Sequence, residues 1–169
     1  MQQLVHEGES CIQRAAEIVI VGPEGAGKKA FLQAFCSPIY GSDENVVVGS
    51  CQISSDLILY CYSVGYTHSF SWDLIGDKML GYIAIFNWYD ELSFAACRET
   101  VHFASSHFSA PLIVAADLGL KPLPVPESAV RPFIPLSPSA KFLFFQSHKP
   151  ASIRKVVVTL IEVLLEKLE

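Results

Sequence analysis

The sequence predicts an α/β domain, a sheet covered by helices on both faces, on the strength of three features. The first is Gly22-Pro23-Glu24-Gly25-Ala26-Gly27-Lys28-Lys29, a glycine-rich turn between an apolar run and a helical segment. The second is a series of short, continuous apolar runs, the form taken by strands buried on both faces. The third is the stretch Ser152 to Leu168, where Ile153, Val156, Val157, Leu160, Ile161, Leu164, Leu165 and Leu168 recur at helical spacing. Apolar runs alternating with helical segments are the pattern of an α/β fold.

In chain order, Ile18-Val19-Ile20-Val21 predicts a buried strand that enters the glycine turn, and Ala30 to Phe35 continues as a helix. Ser37 to Asn45, with Pro38 and Gly41, reads as a polar connection. Val46 to Ile53 and Leu57 to Cys61 are two strands of a hairpin turned at Ser54-Ser55-Asp56. Tyr66 to Lys78 is a loop and helix, and Tyr82 to Phe86 the next strand. Asp90 to Phe108 is a helix with Leu92, Ala95, Ala96, Val101 and Phe108 available for its inner side. Pro111 to Ala116 is a strand, and Leu118 to Pro138 a proline-rich connection with a short helix at Glu127 to Arg131. Lys141 to Phe145 is the last strand before the C-terminal helix. The sum is a three-layer domain with a six-stranded, mostly parallel sheet over residues 16–169, preceded by a polar extension, residues 1–15.

Composition narrows the function. A chain of 169 residues suits one domain with a proper core, and 51% apolar with 17% charged residues suits a covered sheet. No apolar run approaches the ~20 residues of a membrane helix, and the N-terminus lacks the basic-then-apolar layout of a signal peptide. A net charge of −5 argues against nucleic acid as a partner. Cys11, Cys36, Cys51, Cys61 and Cys97 show no metal-like spacing, and their odd number resists a full disulfide framework. Reduced thiols in a cytoplasm are the expectation. His6, His68, His102, His107 and His148 form no ligand spacing.

The glycine turn matches the phosphate-binding pattern G-x-x-x-x-G-K up to Lys28. In that pattern backbone N–H groups close around a phosphate at the positive N-terminus of a helix. The lysine reaches the outer phosphates, and a following Ser or Thr hydroxyl binds Mg²⁺. Here Lys29 stands at the hydroxyl's place, and a charged ammonium is no metal ligand. The expected phosphate-binding residues are Gly22, Glu24, Gly25, Ala26, Gly27, Lys28 and Lys29. Two lysines at a helix N-terminus oppose its dipole, so the site should want an anion. A nucleotide phosphate and a local carboxylate (Glu24, Asp43 or Glu44) both qualify.

At this point the chain resembles the Ras-like small GTPases, and among them the bacterial gliding-motility (mutual gliding protein) and conservon classes. The resemblance rests on Gly22 to Lys28, Leu57-Ile58-Leu59-Tyr60, Phe70-Ser71-Trp72-Asp73-Leu74, Gly81 to Phe86, Pro111 to Ala115 and Ser152 to Val156. It covers roughly residues 16–168 and implies GTP binding, a fold change between GTP and GDP states, and control by partner proteins.

Measured against that family, the site is depleted. Asp73-Leu74-Ile75-Gly76 fits the letters of the Asp-x-x-Gly motif but lies too close to the strand at Tyr82; Asp73 reads as a solvated helix residue. At the proper place, after Tyr60-Cys61, the chain has Tyr62-Ser63-Val64-Gly65-Tyr66. Gly65 and Tyr66 then belong to switch II, with Tyr62 replacing the acid and Tyr66 the catalytic Gln. No threonine precedes Thr67, leaving Ser42 and Ser50 as weak stand-ins for the switch I residue. The base-reading Asn-Lys-x-Asp becomes Ala116-Asp117-Leu118-Gly119. Asp117 is either a shifted base-binding residue or a turn-capping aspartate. Ser139-Ala140-Lys141 imitates the family's base-contacting loop, but with Lys141 to Phe145 as the strand that loop is Gln146-Ser147-His148-Lys149, and Ser147 joins Asp117 as a base-binding candidate. Tyr66, Phe70, Trp72, Trp88 and Tyr89 read first as core packing and second as a partner hot spot.

The expectation is therefore a pseudo-GTPase without a magnesium site, acting as a protein-interaction or regulatory module. Its expected partners are proteins, with a second copy of the chain among the candidates. The alternative is a switch that binds GTP, GDP or ATP with little need of Mg²⁺, Lys29 replacing part of the metal's charge. An active GTPase completed by a partner's residues is the third reading.

Overall fold

The computed structural model describes residues 13–43, 46–65, 79–130, 134 and 136–168. Its elements are β1 (Arg14–Val21), α1 (Lys28–Phe35), β2 (Ile39–Asp43), β3 (Val46–Ser54), β4 (Leu57–Val64), β5 (Gly81–Asn87), α2 (Glu91–His107), β6 (Leu112–Asp117), α3 (Glu127–Val130), β7 (Ala140–Phe145) and α4 (Pro150–Glu166). The expected N-terminal extension falls largely on residues 1–12, outside the described residues, as does the loop and helix placed at Tyr66 to Lys78.

The sheet is mixed and has seven strands, in the order β2-β3-β4-β1-β5-β6-β7, which corrects the expected six. The added strand is β2, inside the stretch read as a polar connection. It pairs antiparallel with β3 at the sheet edge, from Ile39 opposite Gly49 to Asp43 opposite Val46. Its apolar residues Ile39 and Tyr40 are exposed, so no buried apolar run marks it in the sequence. β3 is antiparallel to β4, and β4, β1, β5, β6 and β7 run parallel.

Alternation along the central strand sorts the core into two layers. Ile18 and Ile20 pack with Phe31 and Leu32 of α1 and with Ile153, Val156 and Leu160 of α4. Val19 and Val21 pack on the opposite face with Tyr82, Phe86, Cys97 and Val101. β1 extends back to Arg14, further than its apolar run suggested. There, among the described residues, it pairs with β4 alone, and its first residues are exposed and carry no buried-strand signature.

On the inner side of α2, Val101 is buried and Phe108 packs on the core as expected, but Leu92 and Ala95 are exposed. Ser93, Cys97, Thr100, Val101 and Ala104 are buried, while Leu92 is 81% exposed. The phase is set at the helix start. Asp90 caps it, accepting from the N–H groups of Leu92 (3.0 Å) and Ser93 (3.3 Å). Ser93 Oγ in turn accepts from Asn87 N at 2.9 Å, which turns Ser93 toward the sheet and Leu92 away. Among the described residues no helix is long and apolar enough to cross a membrane, and Cys36, Cys51, Cys61 and Cys97 are free thiols.

Candidate functional site

β1 lies between β4 and β5, and the chain leaves its C-terminal end through Gly22. Beside it in register stand Val64 of β4 and Ala84 of β5. In open α/β sheets the crevice at the C-terminal ends of the strands, where the strand order reverses, is where ligands sit. The glycine turn occupies that position.

Its backbone needs glycine. Gly22, Gly25 and Gly27 have φ of 154°, 74° and 92°, values that a side chain strains. Gly22 has a second reason: a Cβ there would collide with the carbonyl oxygen of Ile85 in the neighbouring strand. Ala26 is buried and donates its N–H to Pro23 O at 3.3 Å, while Glu24 and Gly25 are exposed.

Gly27 is the N-cap of α1, and no side chain caps that end; the first turn holds no acidic residue either. The first N–H groups of a helix have no intrahelical acceptors, so this end presents free donors and a positive dipole. Lys28 reaches back over the turn, donating from Nζ to Gly22 O at 2.5 Å and Pro23 O at 2.7 Å. Burial pulls its pKa down to about 8, with the carboxylate of Glu24 opposing that shift. A bound anion would favour the charged ammonium again. Lys29 is exposed at the second position of the helix.

The other candidates converge on the same rim only in part. Asp117 ends β6, is buried, and would have Oδ2 2.9 Å from a Cβ placed on Gly27. Its Oδ1 accepts from Gly119 N at 2.9 Å and from Ser147 N at 3.1 Å. The carboxylate is therefore a clasp that ties the ends of β6 and β7 beside the glycine turn. Replacing Asp117 with Ala strands two backbone donors, so Asp117→Ala should cost about 1–3 kcal/mol. Asp117→Asn keeps the acceptor oxygen and should cost less; urea unfolding midpoints of the two variants measure the difference.

Ser147 is half-buried at this rim, and Ser139-Ala140-Lys141 opens β7 at the other end of the sheet, as the choice of last strand required. Gly65 follows β4 directly and lies next to the turn through the Val21–Val64 register. Tyr66, its switch II companion, lies outside the described residues, as do Glu44, Thr67, Phe70, Trp72 and Asp73. Tyr62 sits within β4 and donates from its hydroxyl to Glu17 Oε1 at 3.0 Å; burial, with help from Glu17, pushes its pKa up to about 12. Ser50 is buried in the middle of β3, opposite Tyr60, and not at the rim; Ser42 lies in β2. Trp88 packs on Phe86, Phe142 and Phe144, whereas Tyr89 is exposed under the ammonium of Lys121, 4.0 Å from its ring centre.

Two features escaped the sequence reading. One is an apolar fringe beside the rim: Leu120 (84% exposed), Leu123, Val125 and Tyr89 are all on the surface. The proline-rich composition of this segment concealed it. The other is a mainly apolar cavity of about 530 Å³ on the α2 face, lined by Phe86, Trp88, Phe94, Val125 and Val130 with Glu91 as its charged residue among those described. Among the described residues no three His, Cys, Asp or Glu side chains come together as a metal-ligand set. No protein-family model matches the chain, and no curated protein matches it.

Proposed function

We propose that the chain is a degenerate member of the Ras-like class, a pseudo-GTPase that keeps a cradle for phosphate and works as a protein-interaction or regulatory module. The observation that carries this reading is the inward clasp of Asp117. A base-reading carboxylate accepts from a ligand's N–H groups with both oxygens, and here Oδ1 already accepts from Gly119 N and Ser147 N. Lys29 at the place of the metal-binding hydroxyl points the same way, since phosphoryl transfer depends on positioning plus metal charge. The surface of Tyr89, Leu120, Leu123 and Val125 beside the rim suits a partner protein better than water.

Titration calorimetry with GTP, GDP and ATP, each with and without chelator, tests the proposal. The expected result is weak heat that is blind to the base and to chelator, with no phosphate release. Guanine-selective binding at micromolar concentration that chelator abolishes would overturn it. A second reading, a nucleotide switch with Lys29 doing part of the metal's work, is favoured by the uncapped end of α1 with Lys29 exposed in its first turn. Micromolar binding that survives chelator and is lost in Lys29→Ser would select that reading.

A further inference from the structure

A Cβ built on Gly49, in the middle of β3, would lie 2.5 Å from Cys36 Cβ and 2.9 Å from Cys36 Sγ. Cys36 thus fills the side-chain place that the glycine leaves open. The backbone holds it there. Cys36 is the C-cap of α1. Beyond it, Ser37 N donates to Ser50 O at 2.8 Å and Ser50 N to Pro38 O at 3.1 Å, which clips the following chain to β3.

Directly across the ladder from Gly49 stands Cys61 of β4. Opposed residues of an antiparallel pair point to one face, with Cβ atoms about 4.5–5.5 Å apart. In the place of a Gly49 side chain, Cys36 becomes the cross-strand neighbour of Cys61, and both thiols are buried in the same layer of the core. A disulfide needs Cβ atoms about 3.5–4.5 Å apart, only slightly closer than such a pair. The Cys61 thiol donates to Cys36, which holds Cys36 below the usual thiol value. That shared proton and burial push Cys61 up. Cys36 is therefore the better nucleophile of the two. It is also the one within reach: Cys36 is 5% exposed and followed by exposed residues, Ser37 to Tyr40, whereas Cys61 is fully enclosed.

We propose that Cys36 and Cys61 are a redox-active pair that a peroxide closes into a disulfide, tying the end of α1 to β4. The Cys36 thiolate attacks one oxygen of the peroxide and the O–O bond breaks. Cys36 becomes a sulfenic acid, and the departing hydroxide takes up a proton to leave as water. The Cys61 sulfur then attacks the Cys36 sulfur. The S–S bond forms, the S–O bond breaks, and a second water leaves with the Cys61 proton. The two thiols lose two electrons and hydrogen peroxide is reduced to two waters. Cys51 is the competing sulfur. It lies two residues along β3 from Gly49 and on the same face, but it stands opposite Leu59, and burial pushes its pKa up.

Peroxide treatment of the folded full chain, followed by alkylation of the remaining thiols and peptide mapping, tests the pair. Trypsin together with a protease that cuts after Asp and Glu puts the three cysteines on separate peptides, because Glu44 and Asp56 lie between them. Cys36 and Cys61 should lose their thiols together, with their peptides joined in excess of any other pairing and released by dithiothreitol. In urea the shorter loops, Cys36 to Cys51 and Cys51 to Cys61, should prevail instead. Cys51→Ala should form the same bond as wild type. Cys61→Ala should stop at the Cys36 sulfenic acid, which dimedone traps. Cys36 and Cys61 thiols that stay free, a Cys36–Cys51 bond in place of the expected one, or the same mixture of bonds folded as in urea overturns the proposal. So does a folded Cys51→Ala chain that no longer forms the bond, or a folded Cys61→Ala chain without a dimedone adduct at Cys36.

Discussion

Gly22→Ala should lose about 3 kcal/mol or more of folding stability, a large part of the 5–15 kcal/mol that holds a domain of this kind together. Two costs coincide at this residue. Its φ of 154° is one that an alanine strains to adopt, and the new methyl would drive into the carbonyl oxygen of Ile85. That oxygen belongs to the backbone of β5, a strand with both faces packed, and has no rotamer by which to withdraw. Gly25→Ala is the control: its φ of 74° is also unfavourable, but nothing lies within 4 Å of the added Cβ. It should cost about 1–2 kcal/mol. Urea unfolding of the two variants beside the wild type separates strain from collision, and equal losses would refute the account of Gly22.

The second large effect belongs to Lys28. Lys28→Met should weaken binding of inorganic triphosphate at pH 7 by roughly 10–100-fold, the scale of a charge-assisted hydrogen bond. It should do so without loss of stability comparable to Gly22→Ala. The same substitution should change how stability depends on pH. Burial lowers this ammonium from 10.5 to about 8 in the folded chain. Between those values the unfolded chain binds more protons than the folded one, so the Lys28 contribution to stability rises with pH. It is fully present above 10.5 and is lost as pH falls through 8. Tyr62 and Cys97, whose pKa values burial pushes up to about 12, act in the opposite direction at higher pH. The comparison is therefore the difference between wild type and Lys28→Met at pH 7.5 and 9, in which their effects cancel. A difference that does not move with pH would show that the lysine is not held where these contacts place it. Triphosphate affinity should likewise fall above pH 8 in the wild type, because binding then requires the ammonium to regain a proton.

Most of the fold could be read from the chain because most of it is written in buried side chains. The runs at Ile18, Tyr82, Leu112 and Phe142 are strands packed on both faces, and an apolar run is their direct signature. β2 carries no such run: Ile39 and Tyr40 are exposed, and the strand is held by its backbone pairing with β3. On α2, hydropathy points correctly to Val101 and Phe108 but not to the buried Ser93 and Thr100, and it puts the exposed Leu92 inside. Hydropathy loses to capping geometry there. At the rim, the glycine turn could be read because φ values of 74–154° demand glycine. The role of Asp117 was left open because a carboxylate at a strand end reads the same whether it faces a ligand or two backbone N–H groups. The second of those N–H groups belongs to Ser147, thirty residues later, and no local pattern announces it.

The backbone N–H of Trp88 donates to the carbonyl of Asp117 at 3.0 Å, and its indole lies edge-on to Phe144, 4.8 Å between ring centres. One of the chain's two tryptophans is thus fastened to the residue that clasps the strand ends. In a Trp72→Phe background, its emission and near-ultraviolet dichroism are a built-in optical gauge of whether that clasp is open or shut.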